Sequence, residues 1–185
     1  MDHRQPAGHV TSVNVSAVHS FSKDPALEAR LLEGLGVEGD AHCGTTVRHR
    51  YDRRRDPERP NLRQVHLLGT ELLDELAQHG HVLRPGDLGE NVTTTGVDLQ
   101  GLPRGTLLRL GDEAVVRLTG LRTPCRLLDA LQQGLMRSMW HHDEDGRRTR
   151  RSGVMTVVAH GGTVRAGDPL TVVLPAEPHE ALPPV

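Results

Sequence analysis

The chemistry of this chain is expected at Cys125, within Leu121-Arg122-Thr123-Pro124-Cys125-Arg126. Thr123 can cap a helix, and Pro124 suits the first helical position, where a missing N–H costs nothing. On that reading Cys125 lies in the first turn, where free backbone N–H groups and the helix dipole favour negative charge. Arg122 and Arg126 flank it, so the thiol is expected to ionise more readily than an isolated cysteine. A thiolate is both a nucleophile and a soft metal ligand. A lone cysteine can equally be a buried, inert hydrophobe, and spacing alone does not separate the two.

Other stretches bring polar groups that could serve such a thiol. Asp40 and His42 stand in the turn-rich segment from Gly34 to Gly44, whose glycines permit tight bends and let polar side chains converge. Solvated turns explain the glycines as well, and the acid and imidazole are what set the segment apart. Glu90 and Asn91 close Pro85-Gly86-Asp87-Leu88-Gly89-Glu90-Asn91, just ahead of Val92 and a threonine run. A carboxylate and an amide at the mouth of a strand can orient a polar ligand, or simply satisfy a turn's own backbone. Between Val47 and Arg63 the chain is rich in arginine, interrupted by Asp52, Asp56 and Glu58. This run is either a solvated, partly self-neutralised loop or a clamp for anions. Arg63 is the member expected to face a site, because it adjoins an ordered element. Lys23 is the only lysine in the chain, in a loop after the first strand.

The elements that must hold these groups are mostly short strands. His9 to Val18 alternates around Val13 and Val15, while Thr106 to Leu110 and Glu113 to Thr119 flank a tight Gly111-Asp112 turn. Val154 to Val158 and Pro169 to Leu174 complete the β pattern. The spacing of Val65, Leu68, Leu72, Leu73 and Leu76 predicts a helix from about Val65 to Gln78, with His66 near its start, structural or exposed rather than a ligand. A second helix is expected from Cys125 through Met139, its methionines filling core, followed by a charged loop over Trp140 to Arg151. Within that loop His141, His142 and Asp143 could bind a metal, but are more often expected to be simply solvated. Several strands with turn signals and two good helices point to a mainly β protein, a barrel or curved sheet with helical insertions.

At 185 residues one domain accounts for the chain. A net charge of −2 and 2% aromatic residues argue against nucleic-acid binding through broad charge or base stacking. With no apolar leader and no run long enough to cross a bilayer, a cytoplasmic protein free of membrane contact is expected, its two cysteines reduced.

The motifs gain meaning from their order. Gly36-Val37-Glu38-Gly39-Asp40, Asn61-Leu62-Arg63-Gln64-Val65-His66, Gly86-Asp87-Leu88-Gly89-Glu90-Asn91, Arg122-Thr123-Pro124-Cys125 and Gly161-Gly162-Thr163-Val164-Arg165-Ala166-Gly167-Asp168-Pro169 together resemble the MOSC domain family. That family is named after the C-terminal domain of molybdenum-cofactor sulfurases. The resemblance covers residues 10–174, leaving residues 1–9 and 175–185 as loosely held termini. It implies a β-barrel, a molybdenum cofactor of the molybdopterin type, and Cys125 as molybdenum ligand or sulfur carrier. Glu90 and Asn91 match the polar motif beside the cofactor, Asp40 and His42 match the Gly-Asp-x-His element, and Lys23 is a looser match. Arg63 and Arg122 suit the cofactor's phosphate.

Reductases of this family remove oxygen from N-hydroxylated compounds, which implies a small-molecule substrate and protons from His42, Glu90 or Asp40. The alternative is a non-catalytic carrier holding a persulfide or the cofactor on Cys125. The chain has neither an iron–sulfur cysteine set nor a Gly-x-Gly-x-x-Gly fingerprint, so a reductase needs a separate electron-donor protein, and a carrier needs a sulfur donor or acceptor. A zinc module of His42, Cys43, His66 and Cys125 would lack the usual Cys-x-x-Cys spacing. Pyridoxal phosphate would need Lys23 for a Schiff base, and the single lysine argues against it. Cys43 stands where a small residue is common in the family, and a disulfide with Cys125 is a further possibility.

Overall fold

Apolar runs of four to eight residues punctuated by glycine turns make strands of most of this chain. The computed structural model describes residues 7–48, 54, 56–142, 146 and 148–185. In chain order the elements are β1 (Gly8–Val15), β2 (Asp24–Ala26), β3 (Glu28–Leu32), β4 (Gly36–Val37), β5 (Val65–Gly69), α1 (Thr70–Gln78) and β6 (Val92–Thr95). They continue with β7 (Leu107–Leu110), β8 (Ala114–Leu121), α2 (Leu127–Leu131), α3 (Leu135–Ser138), β9 (Trp140–His142), β10 (Arg148–Arg150), β11 (Val154–His160), β12 (Gly162–Arg165) and β13 (Pro169–Val173).

Seven strands close a barrel in the order β13-β7-β8-β11-β5-β6-β1, with β13 pairing back onto β1 and β2 lying at the edge of β1. Among the pairings of this sheet, β5 with β6 is parallel and the rest are antiparallel. A small sheet β12-β3-β4 packs beside it. The protein is therefore mainly β, a barrel with helical insertions. Inside the barrel Val10, Leu67, Leu108, Val116, Val154 and Leu170 form the core, and alternate residues of β11 face out, as period-two strands require.

The region read as one helix from Val65 is a strand followed by a helix. β5 is buried on both sides: Val65 and Leu67 enter the barrel core, while Leu68 joins a second cluster with Leu72, Leu73 and Leu76 of α1. A strand covered on both faces carries a continuous apolar run, and here that run imitates a helical stripe. The second expected helix is also broken. Gly134 adopts φ +84°, a left-handed conformation suited to glycine, and separates α2 from α3; Met139 is buried against the cluster as core. The Trp140 to Arg151 segment is not simply a loop, since β9 and β10 pair as a ribbon with Arg148 over the Trp140 ring at 3.7 Å. Asp143 lies outside the described residues.

Parts of the segments expected to be loosely held are tied to the barrel. Gly8 and His9 already pair with Leu170 and Pro169, and the tail returns to the barrel, burying Leu182 in its core. Among the described residues no helix is long and apolar enough to cross a membrane.

Candidate active site

Cys125 does not sit in the first turn of a helix. After β8 the chain has no regular structure through Cys125, with Arg122 N–H donating to the Gly153 carbonyl at 3.1 Å; α2 begins only at Leu127, with Arg126 at its cap and no side-chain capping bond. Thr123 therefore caps nothing. The Cys125 carbonyl accepts from Leu128 N–H at 3.1 Å, which leaves the thiol just ahead of the helix and half-buried. The Arg122 guanidinium hydrogen-bonds the Cys125 side chain and lies 5.6 Å from the centre of the Phe21 ring. Burial pulls the Arg122 pKa down, against the opposing influence of Cys125 and Glu90, and its Nη1 is buried with no partner.

The thiol opens on a cavity of about 480 Å³, a size that admits a cofactor or small ligand. Lys23, His42, Arg63, Asn91 and Arg122 line it with Cys125, and Arg48 and Arg54 of the basic run join them. No aspartate or glutamate is among the described lining residues. His66 lines the cavity as well, contrary to its expected place in a helix. Of the remaining arginines of the run, Arg50, Arg53 and Arg55 lie outside the described residues, and Arg59 is exposed and does not line the cavity.

Asp40 and Glu90 stand behind the wall and organise it. Asp40 Oδ2 accepts from Lys23 Nζ in a buried ion pair, from Asn91 Nδ2 at 3.0 Å and from Ser16 N–H at 3.4 Å. Its Oδ1 accepts from the His42 backbone N–H at 2.9 Å and from His42 Nδ1 at 3.2 Å. Burial alone would raise the Asp40 carboxyl, but these His42 bonds and the Lys23 charge outweigh it and hold the group well below the usual carboxylate range. Because Nδ1 of His42 is turned to Asp40, its Nε2 is the ring nitrogen left for other partners. The ring also meets His19 edge to face at 5.1 Å.

Asn91, just ahead of β6, ties β1 and β5 to the Asp40 loop. Its Nδ2 also donates to the Asn14 carbonyl at 3.2 Å, and its Oδ1 accepts from His66 N–H at 3.2 Å. Glu90 is fully buried: Oε1 accepts from Gly86 N–H at 2.7 Å and from Thr93 Oγ1 at 3.2 Å, Oε2 has no partner, and burial pushes the carboxyl up. Gly86 and Gly89 explain how this loop reaches the site. A Cβ on Gly86 would lie 2.3 Å from the Lys23 carbonyl and one on Gly89 2.5 Å from that of Phe21, so the glycines let the loop seat Phe21 and Lys23 at the cavity.

His66 is buried, and its Nε2 donates to the Ser152 carbonyl at 2.8 Å, since a carbonyl only accepts. Burial, aided by the Arg122 charge, pushes its pKa down to about 3. The unfolded chain takes up this proton near the ordinary histidine value of about 6.5. Acid between those values therefore favours unfolding, by about 3 kcal/mol from pH 6.5 to pH 4. A His66→Gln protein, whose amide can replace the donor, is expected to lose that part of the slope in urea unfolding followed across this range. An unchanged slope would remove His66 as its source.

Both cysteines are free, so no disulfide joins Cys43 to Cys125, and burial pushes the Cys43 thiol up. Among the described residues no three or more His, Cys, Asp or Glu side chains converge to hold a metal ion, which removes the zinc set of His42, Cys43, His66 and Cys125. Sequence reasoning did not single out Phe21, Met155 or Val185, all of which line the cavity together with His19 of the loop after the first strand. Asn61 was visible only inside a motif: its Nδ2 donates to the His42 and Gly44 carbonyls, each at 3.0 Å, and so fixes the His42 loop.

A seven-stranded barrel with a cysteine at a cation-lined cavity defines the class, and the sequence pattern agrees with it. The family model of the MOSC domain matches residues 40–171, and the chain belongs to the MOSC domain family. No curated protein matches the chain significantly. Among solved structures, the YuaD protein from Bacillus subtilis is 21% identical with a TM-score of 0.73, over 89% of this chain and 94% of that one. YiiM from Geobacillus stearothermophilus is 17% identical with a TM-score of 0.64, covering 94% of this chain and 79% of its own. YiiM from Escherichia coli is 20% identical with a TM-score of 0.62, covering 94% and 72%. At these identities the likeness is one of fold.

Proposed function

We propose that this protein binds a molybdenum cofactor through Cys125 and reduces N-hydroxylated small molecules at that site. MOSC domains are associated with this cofactor, and the residues present suit it. The observation that carries the reading is one cavity lined by Cys125, by Arg122, whose Nη1 is buried without a partner, and by a wall of further cations. A soft thiolate fits a metal already held by sulfur, and arginine forks fit a phosphate. Cys125 would hold the metal; Arg63, Arg122 and Lys23 would face the anionic part. Asn91, with its amide engaged by Asp40 and by the Asn14 and His66 backbone, would act by fixing the wall. When bound, the cofactor supplies the electron and oxygen-transfer chemistry.

The reaction R–NHOH + 2e⁻ + 2H⁺ → R–NH₂ + H₂O breaks the N–O bond and requires two protons. Of the three candidates, His42 is best suited to deliver them. Its Nδ1 is anchored on Asp40 and its side chain lines the cavity, whereas Asp40 is held ionised behind the wall and Glu90 is fully buried. The electrons would come from a separate reductase, and the cytoplasm is the proposed compartment.

The test is anaerobic turnover by molybdenum-loaded protein, with a reduced viologen dye as donor and an N-hydroxylated nucleobase as substrate, following amine formation by chromatography. Amine formed in proportion to bound molybdenum is the expected result. No amine from loaded protein, together with cyanolysable sulfur on Cys125 that passes to an acceptor, would replace this reading with the sulfur carrier.

A further inference from the structure

The family pattern ends at residue 171, yet a segment well beyond it supplies part of the cavity wall. Leu182 anchors this segment in the barrel core. The Pro183 carbonyl then accepts from Leu121 N–H at 2.7 Å, Pro184 pairs in parallel with Leu121, and Val185 N–H donates to the Leu121 carbonyl at 3.1 Å. Leu121 is the last residue of β8, and the next residue, Arg122, hydrogen-bonds Cys125. The tail is thus fastened by backbone bonds one residue before the site loop begins.

Gly120 makes the pairing possible. A Cβ there would lie 2.3 Å from the Pro183 oxygen and 2.7 Å from a Val185 methyl, well inside contact distance. The result is a half-buried Val185 on the same cavity as Cys125, Leu127 and Met155. We propose that Val185 is a specificity-determining residue, whose isopropyl group limits the size of what can reach Cys125. Held on Leu121 through both its own N–H and the Pro183 carbonyl, it acts as a fixed part of the wall. The consequence for substrates rests on Cys125 being the reacting centre; access to the thiol does not.

Access is therefore what should be measured. In Cys43→Ser protein Cys125 is the sole cysteine, and its alkylation by a small reagent, iodoacetamide, and a bulky one, N-(1-pyrenyl)maleimide, can be timed by mass spectrometry without any cofactor. Val185→Gly is expected to raise the bulky-to-small rate ratio about tenfold, and Val185→Trp to lower it, in the range that pocket shape commonly gives. Gly120→Ala, which displaces the tail while keeping Val185, is expected to raise the ratio as well. A ratio unchanged in proteins that retain the parent's circular dichroism overturns the proposal. So does a Val185→Gly effect equal for both reagents. If Val185→Gly compromises folding, Val185→Ala gives the same comparison with a smaller expected rise. Size-selective labelling in a protein that binds no molybdenum would keep this inference and refute the cofactor reading, so the two can fail separately.

Discussion

Cys125→Ala protein is expected to purify without molybdenum from a host that loads the parent, and to reduce N-hydroxylated substrate no faster than the protein-free control. The expectation rests on a single soft ligand: Cys125 is the cysteine on the cavity, whereas Cys43 is not among the residues lining it. Alanine also takes a hydrogen-bonding partner from Arg122, whose Nη1 is already without one. A further buried N–H left unpaired costs about 1–3 kcal/mol, so the variant should also be less stable by that order. Cys125→Ser separates the two effects. Its hydroxyl can still accept from Arg122, so stability should be largely kept, while a hard oxygen is a poor replacement for the thiolate and the metal should still be lost. Elemental analysis and urea midpoints on the three proteins decide the matter. An alanine variant with full molybdenum and full activity would take Cys125 out of the site.

The second large effect is expected at Asp40 and is one of stability. Asp40→Ala leaves the Lys23 ammonium buried without its counter-charge, takes one of two acceptors from the Asn91 amide and removes the acceptor of His42 N–H and Nδ1. Removing one member of a buried ion pair destabilises by about 3–5 kcal/mol, because the remaining charge is uncompensated. Replacing both members, as Lys23→Met with Asp40→Leu, should recover much of that loss. The pH dependence has a definite sign. Asp40 is held below its unfolded value, so its contribution is full above the ordinary carboxylate pKa of about 4 and is lost as pH falls further toward the folded value. The gap in unfolding free energy between parent and Asp40→Ala should be constant from pH 5 to 7 and shrink below pH 4. A gap that stays the same at pH 3 would mean that shape, not charge, is what Asp40 provides.

The site was more legible in the sequence than the elements that carry it. Lys23, His42, Arg63, Asn91, Arg122 and Cys125 could be picked out by residue type and order, and they line one cavity. The hairpin of β7 and β8 was visible as well, since Gly111-Asp112 sits between two alternating runs. The placement of β5 was not legible, because the partners of this strand are β11 and β6 and no local period reveals a strand covered on both faces. The cap at Thr123 failed for a related reason: a tertiary bond from Arg122 to Gly153 ties the chain to the neighbouring strand's lead-in there, overriding local helix signals. The break in the second helix was hidden by an apolar stripe that runs on through Leu135 and Met139, and the left-handed backbone of Gly134 is what makes it. Val185 was invisible in Ala-Leu-Pro-Pro-Val, because its place depends on the missing side chain of Gly120, far earlier in the chain.

The pairing of β13 with β1 also governs how the protein can be made. Gly8 and His9 find Leu170 and Pro169 only after almost everything between them has been synthesised. Until then β1 and β7 both present backbone edges that other chains can pair with. Closure across so long a separation is slow, because the loop entropy is lost before the contacts form. Expression conditions that slow synthesis or lower temperature should therefore improve the yield of soluble protein more than changes to its surface would.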